Sequence, residues 1–295
     1  MTFQGSGGLD TSGISAGGSG GGGGFGGGKI ALGGGVGLIV AIVAVLFGIN
    51  PGDILGGDSS SSNQVGNISQ GSTGSNAALQ QQIDSCTIEK ANSGDVCRIV
   101  ATANSLNTVW PTLVDGYTKP KMVIFSGQVN TGCGAASSAM GPFYCPADQT
   151  AYFDPTFFAE LKRMGGSDGA AAQEYVVAHE YGHHVQQLTG LLAKGQRMGN
   201  AGSVRTELQA DCYAGVWFYH AQRGSGKGFI EPLTDDQIAN VIQTARAIGD
   251  DTIQGANSNP EGWTHGSAAQ RIRWFKVGYA DGDPRKCDTF ATNQL

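Results

Sequence analysis

His179-Glu180-Tyr181-Gly182-His183 is the stretch whose reading decides this chain. It fits H-E-x-x-H, a pattern that needs a helix to do its chemistry. With 3.6 residues per turn, side chains four apart share a face, so both imidazoles can reach one metal ion. Glu180 is turned about a quarter-circle away, where it meets a metal-associated water rather than the metal. Ala170-Ala171-Ala172 open a helical run that reaches Leu188, and Gly190 fits the stop. The motif therefore lies mid-helix, where ligand geometry is most rigid.

A catalytic zinc takes three protein ligands and keeps one position for water. His179 and His183 supply two, and Glu207 is the candidate for the third. It lies in Glu207-Leu208-Gln209-Ala210-Asp211, where the spacing puts Asp211 on the same helix face. Asp211 can accept the second N–H of His179 and so fix that ring. The chemistry expected is metal-assisted peptide hydrolysis with Zn2+ as cofactor and a protein or peptide as substrate. Zinc polarises the carbonyl and lowers the pKa of its water to about 7. Glu180 takes the water's proton and later passes it to the leaving amine. His184 points off the metal face and is assigned to packing or hydrogen bonding; His220, at a helix end, is read as structural.

Outward from the motif, the 295 residues divide by composition. Residues 1–28, nearly all Gly, Ser and Thr with single apolar residues, read as a disordered tail. Residues 29–49 contain about twenty positions without a charge after Lys29, the length of a membrane-spanning helix. Residues 50–78 read as a flexible Gly/Ser/Asn linker. Residues 79–295 are long enough for one catalytic domain. Lys29 before the apolar run, with Asp53 and Asp58 after it, puts the tail in the cytoplasm and the domain outside, anchored to the membrane by one span.

Six cysteines, an even count, suggest disulfides in an exported domain. Proximity favours Cys86–Cys97 and Cys133–Cys145, leaving Cys212–Cys287, although six cysteines allow about fifteen pairings. A net charge of −6 with no basic cluster gives no surface for nucleic acid.

Helices are expected over residues 96–109 after Asp95, 155–164 after Asp154, 170–188 after Asp168, 204–221, 235–248 after the capping box of Thr234 and Gln237, and 267–277. Strands are expected over 122–125 and 150–153, the second lining the cleft and pairing with an extended substrate. Strands early and helices late predict an α+β domain, mainly helical with a small N-terminal sheet. The loop 191–203 is a candidate lid.

H-E-x-x-H followed by E-x-x-x-D resembles the gluzincin class of metallopeptidases. His179 to Gln186, Glu207 to Gly215, Thr264-His265-Gly266-Ser267 and Gly141-Pro142-Phe143-Tyr144-Cys145-Pro146 together resemble one bacterial family of neutral zinc metallopeptidases. That resemblance implies a zincin-like fold, a peptidase activity and an inner-membrane location with the domain facing out. Thr264-His265-Gly266, with Arg271 six residues after the histidine, resembles the H-P-x-x-x-x-R element of some membrane-linked gluzincins, with Gly266 in place of Pro. It implies that His265 stabilises the oxyanion and that Arg271 orients it or pairs with a carboxylate. Two other readings compete: a membrane-tethered binding or scaffold protein with a structural zinc, which needs a fourth protein ligand, and a zinc hydrolase of non-peptide amides.

Overall fold

In a computed structural model, which describes residues 2–18, 71–226, 228–255 and 257–295, the sheet starts near the N-terminus. Strand β1 (Ile14–Gly17) runs parallel to β2 (Lys121–Phe125). A separate hairpin pairs β3 (Gln128–Thr131) with β4 (Gly134–Ser137). Strand β5 (Phe143–Cys145) lies antiparallel to β6 (Thr150–Phe153), which runs parallel to β2. The sheet order is β1-β2-β6-β5.

This topology overturns the expected fold, in which a membrane helix separates the tail from the domain. β1 and β2 exchange ladder bonds, so they lie on one side of any membrane, whereas a single crossing between them would put them on opposite sides. Among the described residues no helix is long and apolar enough to cross a membrane. Residues 29–49, where the span was expected, lie outside the described residues, as does the linker up to residue 70. The sheet is also not a small N-terminal unit: it joins residues 14–17 to strands between 121 and 153.

The tail is held by contacts that composition does not weigh. Phe3 is buried, its N–H donates to Asn92 Oδ1 at 2.8 Å, and the Ala16 N–H donates to Gln80 Oε1 at 2.7 Å. Asn104 and the backbone of Asp10 bond each other in both directions. Glycine-rich sequence reads as disorder because it buries little, but one aromatic anchor and backbone hydrogen bonds fix this stretch.

The helices are α1 (Gly71–Asp84), α2 (Ile88–Ala91), α3 (Asp95–Val109), α4 (Phe157–Arg163), α5 (Ala170–Leu188), α6 (Leu191–Gln196), α7 (Asn200–Ala221), α8 (Asp235–Ala247), α9 (Asp250–Ile253) and α10 (Ala268–Asp281). The Thr234 capping box opens α8 as expected. Asp95, Asp154 and Asp168 do not act as N-caps. Asp95 pairs with Arg98, Asp168 pairs with Lys162, and Asp154 folds back to accept from the backbone and hydroxyl of Thr156. A short polar side chain has several local partners, and tertiary context chooses among them.

α5 carries the motif and is buried from Ala171 to Gln186, packed against α3, α7 and α8. Close crossings set its neighbours. A Cβ on Gly182 would stand 3.0 Å from Ala210 Cα, so glycine between the two histidines lets α5 and α7 approach. A Cβ on Gly278 would lie 1.9 Å from the Cys212 carbonyl oxygen, and one on Gly215 2.2 Å from that of Phe275. α7 and α10 therefore touch backbone to backbone, which sets the depth of every side chain between them. Residues 191–203, the expected lid, hold α6, and α6 is packed on α7 through Gly195 and Gly202.

Disulfides join Cys86 to Cys97, Cys133 to Cys145 and Cys212 to Cys287, the pairing that proximity favoured.

Candidate metal centre and cleft

The α5–α7 crossing brings His179, His183 and Glu207 together, with one potential ligand atom from each within 4.8 Å of the others. Glu207 Oε2 is 3.1 Å from His179 Nε2, and Oε1 is 3.4 Å from His183 Nε2. The two rings stand 4.8 Å apart and nearly perpendicular. Helical periodicity put the imidazoles on one face; only the crossing could put Glu207 between them.

The opposite ring nitrogens are both engaged. His179 Nδ1 lies 2.9 Å from Asp211 Oδ1, and His183 Nδ1 lies 2.9 Å from Gln186 Oε1. The Gln186 amide is oriented by its own bonds: its Nε2 donates to the Thr206 carbonyl and to Gln209 Oε1, and Gln209 Nε2 donates to the Cys287 carbonyl. Gln186 Oε1 must therefore accept, so His183 Nδ1 is the donor and Nε2 is the nitrogen turned toward Glu207. Sequence reading did not find Gln186 or Gln209. The available signal was weak: Gln186 is three residues past His183, but its acceptor role depends on α7.

Asp211 behaves as expected and more. Its Oδ1 accepts from His179, from the Tyr175 hydroxyl and, at 2.8 Å, from Arg271 Nη2. Of the two roles open to Arg271, the structure places it on a carboxylate. Arg271 is buried and also donates to the Ile248 carbonyl. Tyr175, four residues before His179, was missed although it shares that helix face.

Charges follow this geometry. Burial disfavours a charged His179, but the bonds to Asp211 and Glu207 outweigh it and push its pKa up to about 10. Burial likewise opposes a charged Asp211, yet Arg271 and His179 hold it below the usual range. Glu207 is held well below it against burial, by His183 and His179. The carboxylates that favour a proton here also favour a cation between the rings. Two imidazole nitrogens and one carboxylate, with one side open to the cleft, suit zinc. Glu180, beside the triad in the cleft wall, is raised by burial.

His265 also lines this cleft. Its Nδ1 lies 3.3 Å from Asp250 Oδ1 and 3.1 Å from Thr264 Oγ1. Asp250 Oδ2 accepts the backbone N–H groups of Thr264, His265 and Gly266. Asp250 is the largest omission of the sequence reading: it lies fifteen residues before His265 and no helical spacing connects them. His184 packs as expected, with Nδ1 3.0 Å from the Tyr144 hydroxyl and Nε2 2.7 Å from the Thr118 carbonyl. His220 caps the α10 end through the Gly282 carbonyl.

Beside a mixed sheet, two crossing helices thus gather two histidines and one glutamate that could hold a metal ion. Residues 2–290 match the family described as "Putative neutral zinc metallopeptidase", and this chain belongs to that family. The match includes the N-terminal segment that carries β1. An uncharacterized protein of Mycobacterium tuberculosis is 57% identical over 216 residues, 70% of this chain and 74% of its own length. Uncharacterized YpfJ of Escherichia coli is 46% identical over 185 residues, 59% of this chain and 62% of its own. No solved structure matches.

Proposed function

We propose that this chain is a zinc-dependent peptidase that hydrolyses internal peptide bonds, with Glu180 as general base. The observation that carries the reading is the convergence of two Nε2 atoms on Glu207, with both Nδ1 atoms pinned from behind and Glu180 alongside. A zinc ion held by His179, His183 and Glu207 would supply Lewis acidity and a water of lowered pKa. Glu180 takes the proton of the attacking water and returns it to the leaving amine; its burial, which favours the protonated form, helps it hold that proton between the two transfers. As the imidazolium, with Nδ1–H on Asp250, His265 donates from Nε2 to the substrate carbonyl oxygen as it gains charge. Asp211 and Arg271 act through His179.

The strand that receives substrate is not Thr150–Phe153. β6 lies between β2 and β5, whereas among the described residues β5 is an edge strand, and Phe143 and Tyr144 line the cleft. An extended peptide adds to β5, which the Tyr144–His184 bond ties to the motif helix. Three disulfides and no free cysteine support an oxidising, extracytoplasmic compartment.

A structural zinc is disfavoured among the described residues. It needs a fourth protein ligand, but both His184 ring nitrogens are engaged and all six cysteines are in disulfides. Of amide substrates, peptides suit the largely apolar cleft lining better than sugar-linked amides do.

The test uses the full chain, wild type beside Glu180→Gln, with zinc content and casein hydrolysis as readouts. One zinc per chain in both, with activity in the wild type only, is the expected result. Absence of zinc, or equal activity in the two proteins, sinks the reading.

A further inference from the structure

One turn of α7 carries the rear support of both ligand histidines. Asp211 stands behind His179, and Gln209, two residues earlier, stands behind Gln186, which holds His183. Cys212, next to Asp211, is bonded to Cys287, beyond the end of α10. The C-terminal stretch around Cys287 lies along α7 as a strap. It turns over Pro284–Cys287; Thr289 Oγ1 donates to the Arg205 carbonyl at 2.7 Å, and Arg205 Nη1 donates to the Thr292 carbonyl at 2.6 Å. Cys212, Cys287 and Thr289 are fully buried, so the strap is part of the interior.

The strap reaches the metal centre through two amides. Gln209 Nε2 donates to the Cys287 carbonyl at 2.8 Å, and Gln209 Oε1 accepts from Gln186 Nε2 at 3.0 Å. A side-chain amide has one donor end and one acceptor end, whereas a peptide carbonyl only accepts. Facing the Cys287 carbonyl, Gln209 must turn its nitrogen to the strap and its oxygen to Gln186. Gln186 then keeps its own oxygen for His183 Nδ1, 2.9 Å away. The Thr206 carbonyl pulls Gln186 the same way, at 2.7 Å. Both glutamines are buried, so a lost partner leaves a polar group unpaired out of reach of water.

Resting on the zinc centre of the peptidase reading, we infer that Gln209 is a positioning residue for the metal and that closure of the Cys212–Cys287 bond completes it. With that bond open, the strap loses its covalent hold on α7 and Gln209 is free to turn. A reversed Gln209 meets Gln186 nitrogen to nitrogen, His183 loses its fixed direction, and zinc is held less tightly. Oxidation therefore precedes tight zinc binding. The step is an exchange with an external disulfide. One cysteine thiolate breaks it, giving a mixed disulfide and one free thiol. The other cysteine then displaces the second thiol, so Cys212–Cys287 forms as the external pair is reduced. Cys86–Cys97, which joins the segment between α1 and α2 to α3, serves as the control.

Zinc affinity of the oxidised full chain, read by competition with a chromogenic chelator, tests this without turnover. Gln209→Met keeps the volume and removes both hydrogen-bonding ends, and should weaken zinc roughly 10-fold. Cys212→Ala with Cys287→Ala should weaken it by at least as much. Gln209→Met added to that pair should lower affinity by less than about twofold more, because both changes break one chain of contacts. Losses that simply add overturn the link to the disulfide. Cys86→Ala with Cys97→Ala should stay within about twofold of wild type. The absorption bands of the cobalt(II)-substituted protein, which follow ligand geometry, should shift in Gln209→Met and not in that control. This separates a turned ligand from a general loss of stability. Gln209→Met within about twofold of wild type, or with unshifted cobalt bands, overturns the inference. If the Cys212/Cys287 variant fails to fold, Gln209→Met decides alone. A wild type that takes up no zinc overturns the peptidase reading and the inference together. Zinc weakened in Gln209→Met, with no peptide cleaved by the wild type, supports the inference and overturns the peptidase.

Discussion

His179 and His265 each lean on a buried carboxylate, but the two pairs are built differently. His179 and Asp211 stand on long helices that cross at Gly182, and Asp211 is further clamped by Tyr175 and Arg271. His265 and Asp250 come from a four-residue helix and a loop, and Asp250 spends one oxygen on three backbone N–H groups. Both carboxyls are held below the usual range although burial opposes it, Asp211 by Arg271 first and Asp250 by His265. The first pair is tied to the metal centre and to a buried cation. The second shapes a loop and aims one imidazole. Similar chemistry should therefore fail in different ways.

Breaking the first pair should have the largest effect. Asp211→Asn removes the charge facing both His179 and Arg271. Zinc affinity should fall roughly 10- to 100-fold, and leaving Arg271 buried without its partner should cost about 3–5 kcal/mol. Zinc titration and urea unfolding read the two terms; affinity within twofold of wild type would mean that Asp211 does not orient His179.

Breaking the second should spare the metal. Asp250→Asn keeps an acceptor for the backbone, so the loop survives and only the hold on His265 weakens. Zinc content should be unchanged and kcat should drop by about 10²-fold at most. In a His265→Ala background the same change should cost less than about twofold, because the two residues act as one unit. An additive loss would show that Asp250 works through the loop alone.

The α7–α10 crossing, which carries Arg271 to Asp211, can be tested by itself. Gly278→Ala drives a methyl into the Cys212 carbonyl and should destabilise by about 1–3 kcal/mol. A neutral result in urea unfolding would mean that α10 can slide without loss.

Glu174 sharpens the comparison with the smallest effect. It is fully buried on α5, and among the described residues neither carboxylate oxygen has a hydrogen-bond partner. Burial raises its pKa from 4.5 to about 8. The folded state thus binds more protons than the unfolded state between these values, and stability is lost as pH rises through them. Glu174→Gln should raise Tm by about 4 °C at pH 8 and leave it nearly unchanged at pH 4. An equal shift at both pH values would rule out titration as the cause.

Legibility in the sequence followed the range of each interaction. Helical period alone placed His179 beside His183, and Glu207 on a face with Asp211, because those relations are set within one helix. Proximity was enough for two short disulfide loops, and the third followed by elimination. Gln186 was within reach of the motif but needed α7 to fix which end of its amide faces His183. Asp250 was out of reach because loop closure, with no period, brings it to His265.

By itself, then, the sequence determined the H-E-x-x-H spacing and the helix that carries it, which depend on local period and residue type, and its resemblance to a family pointed to the one that it matches. Only the tertiary structure decided that Ile14–Gly17 joins the sheet beside Lys121–Phe125, that β5 and not β6 is an edge strand among the described residues, and that Arg271 serves Asp211. Each of those joins residues far apart in the chain, and which partners meet is fixed by backbone hydrogen bonding and close packing over the whole domain.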